Sequence, residues 1–112
     1  MKKIEAIVPE DKVESVFDAL KQLELGGFTY HTVRGRGARP RQMVRSSSGR
    51  FESARNINAN FFVVVRDNMV QKVVDMVVSR AGTGLAGEGK VFVSSVEDTV
   101  DLGSKEHGEA SL

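Results

Sequence analysis

Residues 83–90 read Thr-Gly-Leu-Ala-Gly-Glu-Gly-Lys, with three glycines in six positions and a lysine directly after them. Glycine loses more backbone freedom on folding than any other residue, so this concentration needs a cause. One cause is a ligand that the backbone approaches closely. Successive N–H groups in a glycine-rich turn form a concave anion site. Lys90 would add a point charge for phosphate, and Thr83 a hydroxyl. The other cause is a tight connection from a helix to a strand, with Lys90 a solvated lysine at the strand's start. Local spacing leaves both open.

A second concentration is basic. Residues 34–55 hold Arg34, Arg36, Arg39, Arg41, Arg45, Arg50 and Arg55 against one acid, Glu52. That segment carries +6, so the rest of the chain sums to −5 within the overall +1. Arginines interleaved with Ser46, Ser47 and Ser48 suit a small oxyanion; a generic basic loop reads the same way. Other chemistry is sparse. With no cysteine in the chain, disulfides, thiolate catalysis and Cys-based zinc sites are excluded. His31 has no second His, Asp or Glu beside it at metal-ligand spacing, and it reads as a strand-face residue. His107 lies in an acidic tail that starts near residue 97. No Ser-His-acid set, carboxylate pair or metal cluster emerges, so the sequence does not point to an enzyme.

These residues need a scaffold, and 112 residues make one domain, 1–112, with a modest core. With 40% hydrophobic and 28% charged residues, the composition is that of an ordinary soluble protein. No apolar run approaches the ~20 residues of a membrane span. The N-terminal apolar run is too short for a signal peptide. A cytoplasmic location is the expectation.

Six elements follow from periodicity. Lys-Lys-Ile-Glu-Ala-Ile-Val alternates as a strand that Pro9 ends. Val13, Val16, Phe17, Leu20 and Leu23 recur at helical spacing, with Asp11 as N-cap and Gly26-Gly27 as the stop. Residues 28–35 alternate as a second strand. Residues 35–58 show no period and read as a long mobile loop. Residues 60–66 form a third strand. Met69, Val70, Val73, Val74, Val77 and Val78 mark a second helix capped by Asp67 or Asn68. Residues 90–96 form the last strand.

The order β-α-β-β-α-β is that of an α+β, ferredoxin-like fold, a four-stranded antiparallel sheet backed by two helices. Phe61 and Val63 face one side of the third strand, and Phe62 and Val64 the other, so both sides of that strand are apolar. An uncovered apolar face predicts association through the sheet. A hairpin between strands two and three needs only a few residues. The excess length there predicts an arm that reaches a partner or folds over a ligand.

Taken together, this order, Thr29-Tyr-His-Thr-Val-Arg-Gly35-Arg36-Gly37 before the long loop, and Thr83 to Lys90 after the second helix resemble the PII signal-transduction family. The resemblance covers nearly the whole chain. It implies a homotrimer with adenine nucleotides in the clefts between subunits. Thr83, Gly84, Gly87, Glu88, Gly89 and Lys90 match the family's B-loop. Gly35, Arg36 and Gly37 begin its T-loop, about residues 36–57, and Thr29 is offered toward adenine. Phosphates would lie on the 83–90 turn and on Gly35/Gly37 of the neighbouring subunit. The T-loop would contact a transporter or an enzyme of nitrogen or carbon metabolism. Arg39, Arg41, Arg45, Ser46, Ser47, Ser48 and Arg50 are its expected effector and partner residues.

The departures from the family pattern carry information too. Members that bind 2-oxoglutarate through magnesium have a glutamine where this chain has Arg39, which cannot ligate a cation. The lysine that pairs with that acid is matched by Asn58. A phosphate-binding arginine is matched by Ala38. The tyrosine that some members have uridylylated is matched by Phe51. Basic tail residues that hold the outer phosphates of ATP are matched by Asp101 and Gly103. The expected ligand is therefore ADP or AMP rather than Mg-ATP, with no resident metal and no catalytic cofactor. The Arg-Ser-Ser stretch is similar to loops of PII-like proteins associated with bicarbonate uptake, which makes bicarbonate the expected co-effector. The alternative is an RNA-binding module of the same element order, with Phe61 and Phe62 as stacking aromatics. Its sequence signature is otherwise lacking, and no nucleic acid partner is expected.

Overall fold

The computed structural model describes residues 1–35, 43–45, 49, 51–53, 57–82, 84 and 89–112. The main sheet has the strands β1 (Lys2–Pro9), β2 (Thr29–Arg34), β5 (Ile57–Val65) and β6 (Lys90–Ser95) in the spatial order β2-β5-β1-β6. All neighbouring strands run antiparallel. The helices α1 (Val13–Lys21) and α2 (Val70–Ala81) pack on one face and against each other. This is the α+β, ferredoxin-like arrangement that the order of elements predicts.

Alternation in the strands decides which face the helices cover. Ile4, Ala6 and Val8 of β1 pair with Val63, Phe61 and Ala59 of β5, and all six are buried. Val16, Phe17 and Leu20 of α1 and Val73 and Val77 of α2 close over them. Phe17 anchors an aromatic group beneath the β2 side, with ring centroids 4.3 Å from Phe28, 4.6 Å from Tyr30 and 6.0 Å from Phe61. The opposite face carries Thr29, His31 and Val33, then Asn60, Phe62 and Val64, then Lys3, Glu5 and Ile7, then Lys90, Phe92 and Ser94. The Lys3 ammonium lies 4.8 Å from the Phe62 ring centre and 3.8 Å from Glu5. Among the described residues no helix covers this face.

Three local expectations need correction. Neither Asp11 nor Asp67 or Asn68 caps a helix through its side chain. Each helix is instead entered through a 3-10 turn, Glu10–Lys12 or Asp67–Met69, whose backbone carbonyls take the first amides. The Asp67 carboxylate is engaged by the Met1 ammonium at 3.0 Å. Gly26 and Gly27 do not stop α1. It ends at Lys21, and Glu24 takes the left-handed conformation at φ 53. Finally, the segment read as lacking any element contains β3 (Met43–Arg45) paired antiparallel with β4 (Phe51–Ser53), a separate two-stranded ribbon. Strands of three residues are too short for periodicity to reveal.

The tail leaves β6 at the Met1 end of the sheet. Val96 N–H donates to the Met1 carbonyl at 3.2 Å. Thr99 Oγ1 meets Met1 Sδ at 3.6 Å and donates to the Gly108 carbonyl at 3.0 Å. Arg66 pairs with Glu109 at 3.6 Å. The tail thus ties the start of β1 and the end of β6 to the end of β5. Among the described residues no helix is long and apolar enough to cross a membrane.

Candidate functional site

The glycine-rich turn joins α2 to β6, and its two described glycines are needed for different reasons. Gly84 sits at φ +84 with open space around the position of a Cβ. That conformation is costly for any other residue. Gly89 has an ordinary backbone, but a Cβ there would stand 2.6 Å from the Ile7 carbonyl oxygen. Gly89 is pressed onto β1 just before β6 begins. The next residue, Lys90, pairs with Ile7 on the open face and is exposed to solvent. At Gly89 the close approach to β1 is by itself a cause for glycine. It leaves Lys90 free to meet an anion as well.

The base of the long loop lies at the same end of the sheet. Gly35 follows β2 directly, and a Cβ there would meet the Asn58 amide nitrogen at 3.5 Å. Thr29 begins β2 on the open face, in one row with Phe62, Glu5 and Phe92. His31 shares a row with Asn60, Ile7 and Lys90, which confirms it as a strand-face residue.

Sheet order separates these residues. β2 and β6 are the two outer strands, three strand spacings or ~14 Å apart. Thr29 and Gly35 stand on one edge, Gly89 and Lys90 on the other. One chain does not bring Thr29 to Lys90. Arg36, Gly37, Thr83, Gly87 and Glu88 lie outside the described residues, as do Arg39, Arg41, Ser46, Ser47, Ser48 and Arg50. Arg45 ends β3.

The tail holds the only strongly organised polar cluster among the described residues, and the sequence reading missed it. Asp98 accepts from Thr99 N–H at 2.9 Å, Gly108 N–H at 3.1 Å and His107 Nδ1 at 2.8 Å. The His107 hydrogen bond is the main reason its carboxyl lies below the usual carboxylate range. Asp101 accepts from Gly103 N–H at 2.9 Å and Ser104 N–H at 2.7 Å. The bonds from Ser104, backbone first, hold its carboxyl below the usual carboxylate range as well. Asp-Thr and Asp-x-Gly-Ser are the turn-forming patterns that could have announced both. Among the described residues no group of three or more His, Cys, Asp or Glu could hold a metal ion. Phe61 is fully buried against the helices, so it offers no surface for base stacking.

A four-stranded antiparallel sheet with helices on one face, a glycine-bearing connection before its last strand and a long segment between β2 and β5 defines a ferredoxin-like protein. The comparisons make this specific. The family model for nitrogen regulatory protein P-II matches residues 1–106. The chain is 36% identical to nitrogen regulatory protein P-II of Microchaete diplosiphon over 91% of each chain. It is 33% identical to nitrogen regulatory protein P-II 1 of Methanothermobacter thermautotrophicus over 100% of this chain and 97% of that one. It is also 32% identical to the P-II homolog of Arabidopsis thaliana over 96% of this chain and 55% of that one. The chain belongs to the P-II nitrogen regulatory family, and is a signal-transduction protein of it.

Proposed function

We propose that this chain works as a cytoplasmic homotrimeric sensor of adenine nucleotides, a regulator rather than an enzyme. The nucleotide sits in the cleft between two copies. Its phosphates lie on the 83–90 turn beside Lys90, with Gly35 and Gly37 at the base of the long loop. Thr29 comes from the adjoining copy and faces the adenine. Occupancy orders the loop, which binds or releases a transporter or an enzyme of carbon or nitrogen metabolism. Bicarbonate is the co-effector that the loop's arginines and serines suit.

The observation that carries this reading is the split of the site residues between the two outer strands. Thr29 on β2 and Lys90 on β6 belong to opposite edges of one sheet. A ligand that uses both must lie between two chains. Ligand choice follows from charge. Asp101 is a carboxylate stabilised in its ionised form, at a position the resemblance matches to a phosphate-holding cation. It favours fewer phosphates, so ADP or AMP over ATP.

Calorimetry with AMP, ADP and ATP, with and without Mg²⁺ and 2-oxoglutarate, tests the reading. ADP or AMP should bind at least as tightly as ATP, and Lys90→Ala should weaken each about tenfold, the loss of one charge-assisted contact. Tight ATP binding that needs Mg²⁺ and strengthens with 2-oxoglutarate would overturn the ligand assignment. No nucleotide binding at all would overturn the sensor.

A further inference from the structure

We infer that Phe62 is the wall on which the base of the bound nucleotide stacks. The inference rests on the reading above, in which Thr29 faces the adenine, and names the ring that grips the base beside it.

Strand register brings the two residues together. Thr29 of β2 and Phe62 of β5 are direct partners, and both stand on the open face. Directly opposed side chains in an antiparallel pair have Cβ atoms about 5 Å apart. A flat ligand whose edge meets the Thr29 hydroxyl therefore lies within reach of the Phe62 ring.

The surroundings of that ring are lopsided. On the β1 side its partner is Glu5, and the Lys3 ammonium stands 4.8 Å from the ring centre and 3.8 Å from Glu5. On the β2 side its partner is Thr29, a short side chain on an outermost strand. Phe62 keeps 36% of its surface exposed, although its sequence neighbour Phe61 keeps none. The ring is thus braced from within the sheet and open toward the edge.

A braced aromatic face beside one hydroxyl suits a heteroaromatic base. The ring takes the face of the base, and the hydroxyl takes its edge. A sugar would ask instead for an acceptor against its hydroxyl groups. The carboxylate of this row, Glu5, lies on the far side of the ring and pairs with Lys3. The competing use of Phe62 is apolar contact with a second copy, which the test separates from stacking.

The chain contains no tryptophan, so Phe62→Trp places a single fluorescent reporter at this position. ADP and AMP should quench it, and ribose 5-phosphate, which lacks the base, should not. Phe62→Leu keeps an apolar side chain and removes the ring. In calorimetry it should weaken both nucleotides about tenfold, the loss of one stacked base. Ribose 5-phosphate, followed by NMR titration, should keep its wild-type affinity, and Phe62→Tyr should restore nucleotide affinity. Circular dichroism and sedimentation should show wild-type fold and mass for each variant. Unchanged nucleotide affinity in Phe62→Leu overturns the inference. Equal losses for nucleotide and ribose 5-phosphate overturn it too, since they set the ring against the sugar. So does a changed mass, which assigns the ring to contact between copies. Should the variants misfold, nuclear Overhauser contacts between adenine protons and labelled phenylalanine rings in the wild type answer the same question, and their absence at saturating ADP overturns the stacking. A wild type that binds neither ADP nor AMP ends the nucleotide reading itself, whereas wild-type binding that Phe62→Leu leaves unmoved ends only the stacking wall.

Discussion

Gly89 lies so close over Ile7 that a Cβ on the glycine would stand 2.6 Å from the Ile7 carbonyl oxygen. The neighbour is backbone in the middle of the sheet, so it cannot swing aside. Gly89→Ala should therefore push residue 89 and the start of β6 away from Ile7. Overpacking of this kind costs about 1–3 kcal/mol. Thermal melting should show that loss, and nucleotide affinity should fall with it, since Lys90 is displaced too. Gly84→Ala makes a useful contrast. It has space but sits at φ +84, so its cost is backbone strain of about 1–2 kcal/mol. Unchanged melting for both variants would mean that the turn's glycines answer to something other than the connection.

Adjacent phenylalanines should behave differently. Phe61 of β5 is fully buried on the helix side near Phe17, while Phe62 is on the open face beneath the Lys3 ammonium. Phe61→Ala should cost about 3–5 kcal/mol, the usual range for a core aromatic. Phe62→Ala should leave the monomer's stability within about 1 kcal/mol, because its ring keeps much of its solvent contact. Denaturant midpoints of the two variants check this. Equal losses would mean that the open face is as closely packed as the helix face.

Acid should loosen the ends of the chain. Asp67, Asp98 and Asp101 all have their carboxyls lowered, by the Met1 ammonium, His107 and Ser104 respectively. A carboxyl that is more acidic when folded binds fewer protons than it does unfolded. Stability therefore rises with pH across the interval between the two values. The contribution is complete above the ordinary aspartate value of 3.8 and is lost as pH falls through the lowered ones. Exchange of the Thr99, Gly108, Gly103 and Ser104 amides should accelerate below about pH 4. Asp98→Asn should bring the acceleration at Thr99 and Gly108 to neutral pH. Protection of those two amides that ignores both acid and Asp98→Asn would show that the tail is held by other contacts.

Alternation and helical spacing made most of this fold legible. Ile4, Ala6 and Val8 declare a half-buried strand, and Val73 and Val77 declare a helix face. Binary patterning is a strong signal because burial acts on every second or every third to fourth residue. The helix entries were not legible, because backbone carbonyls in 3-10 turns did what Asp11 and Asp67 were expected to do. Nor was the end of α1, where Glu24 rather than glycine takes the positive φ. Of the candidate site, the residue types could be read but not their separation. Thr29 and Lys90 each look suited to a nucleotide. That they occupy opposite edges follows from strand order, which local sequence does not encode. The Asp98–His107 pair leaves no periodic trace, and only the Asp-Thr turn pattern at residue 98 hints at it.

The separation of Thr29 from Lys90 yields the sharpest test of the shared cleft. On the proposed reading Thr29→Tyr obstructs the adenine side and Lys90→Ala removes the phosphate contact, so either variant alone should bind nucleotide weakly. Both residues are exposed, so neither change should unfold the chain. In a mixed assembly, a site is whole wherever a Thr29→Tyr copy supplies Lys90 and a Lys90→Ala copy supplies Thr29. Random equimolar mixing makes roughly a quarter of the sites whole. Co-refolding the two variants should therefore restore about that fraction of wild-type binding capacity at wild-type affinity, measured by calorimetry. A chain carrying both substitutions should restore none when mixed with itself. If the mixture binds no better than its components, while both variants fold and assemble, Thr29 and Lys90 do not meet across two copies and the nucleotide belongs to a single chain.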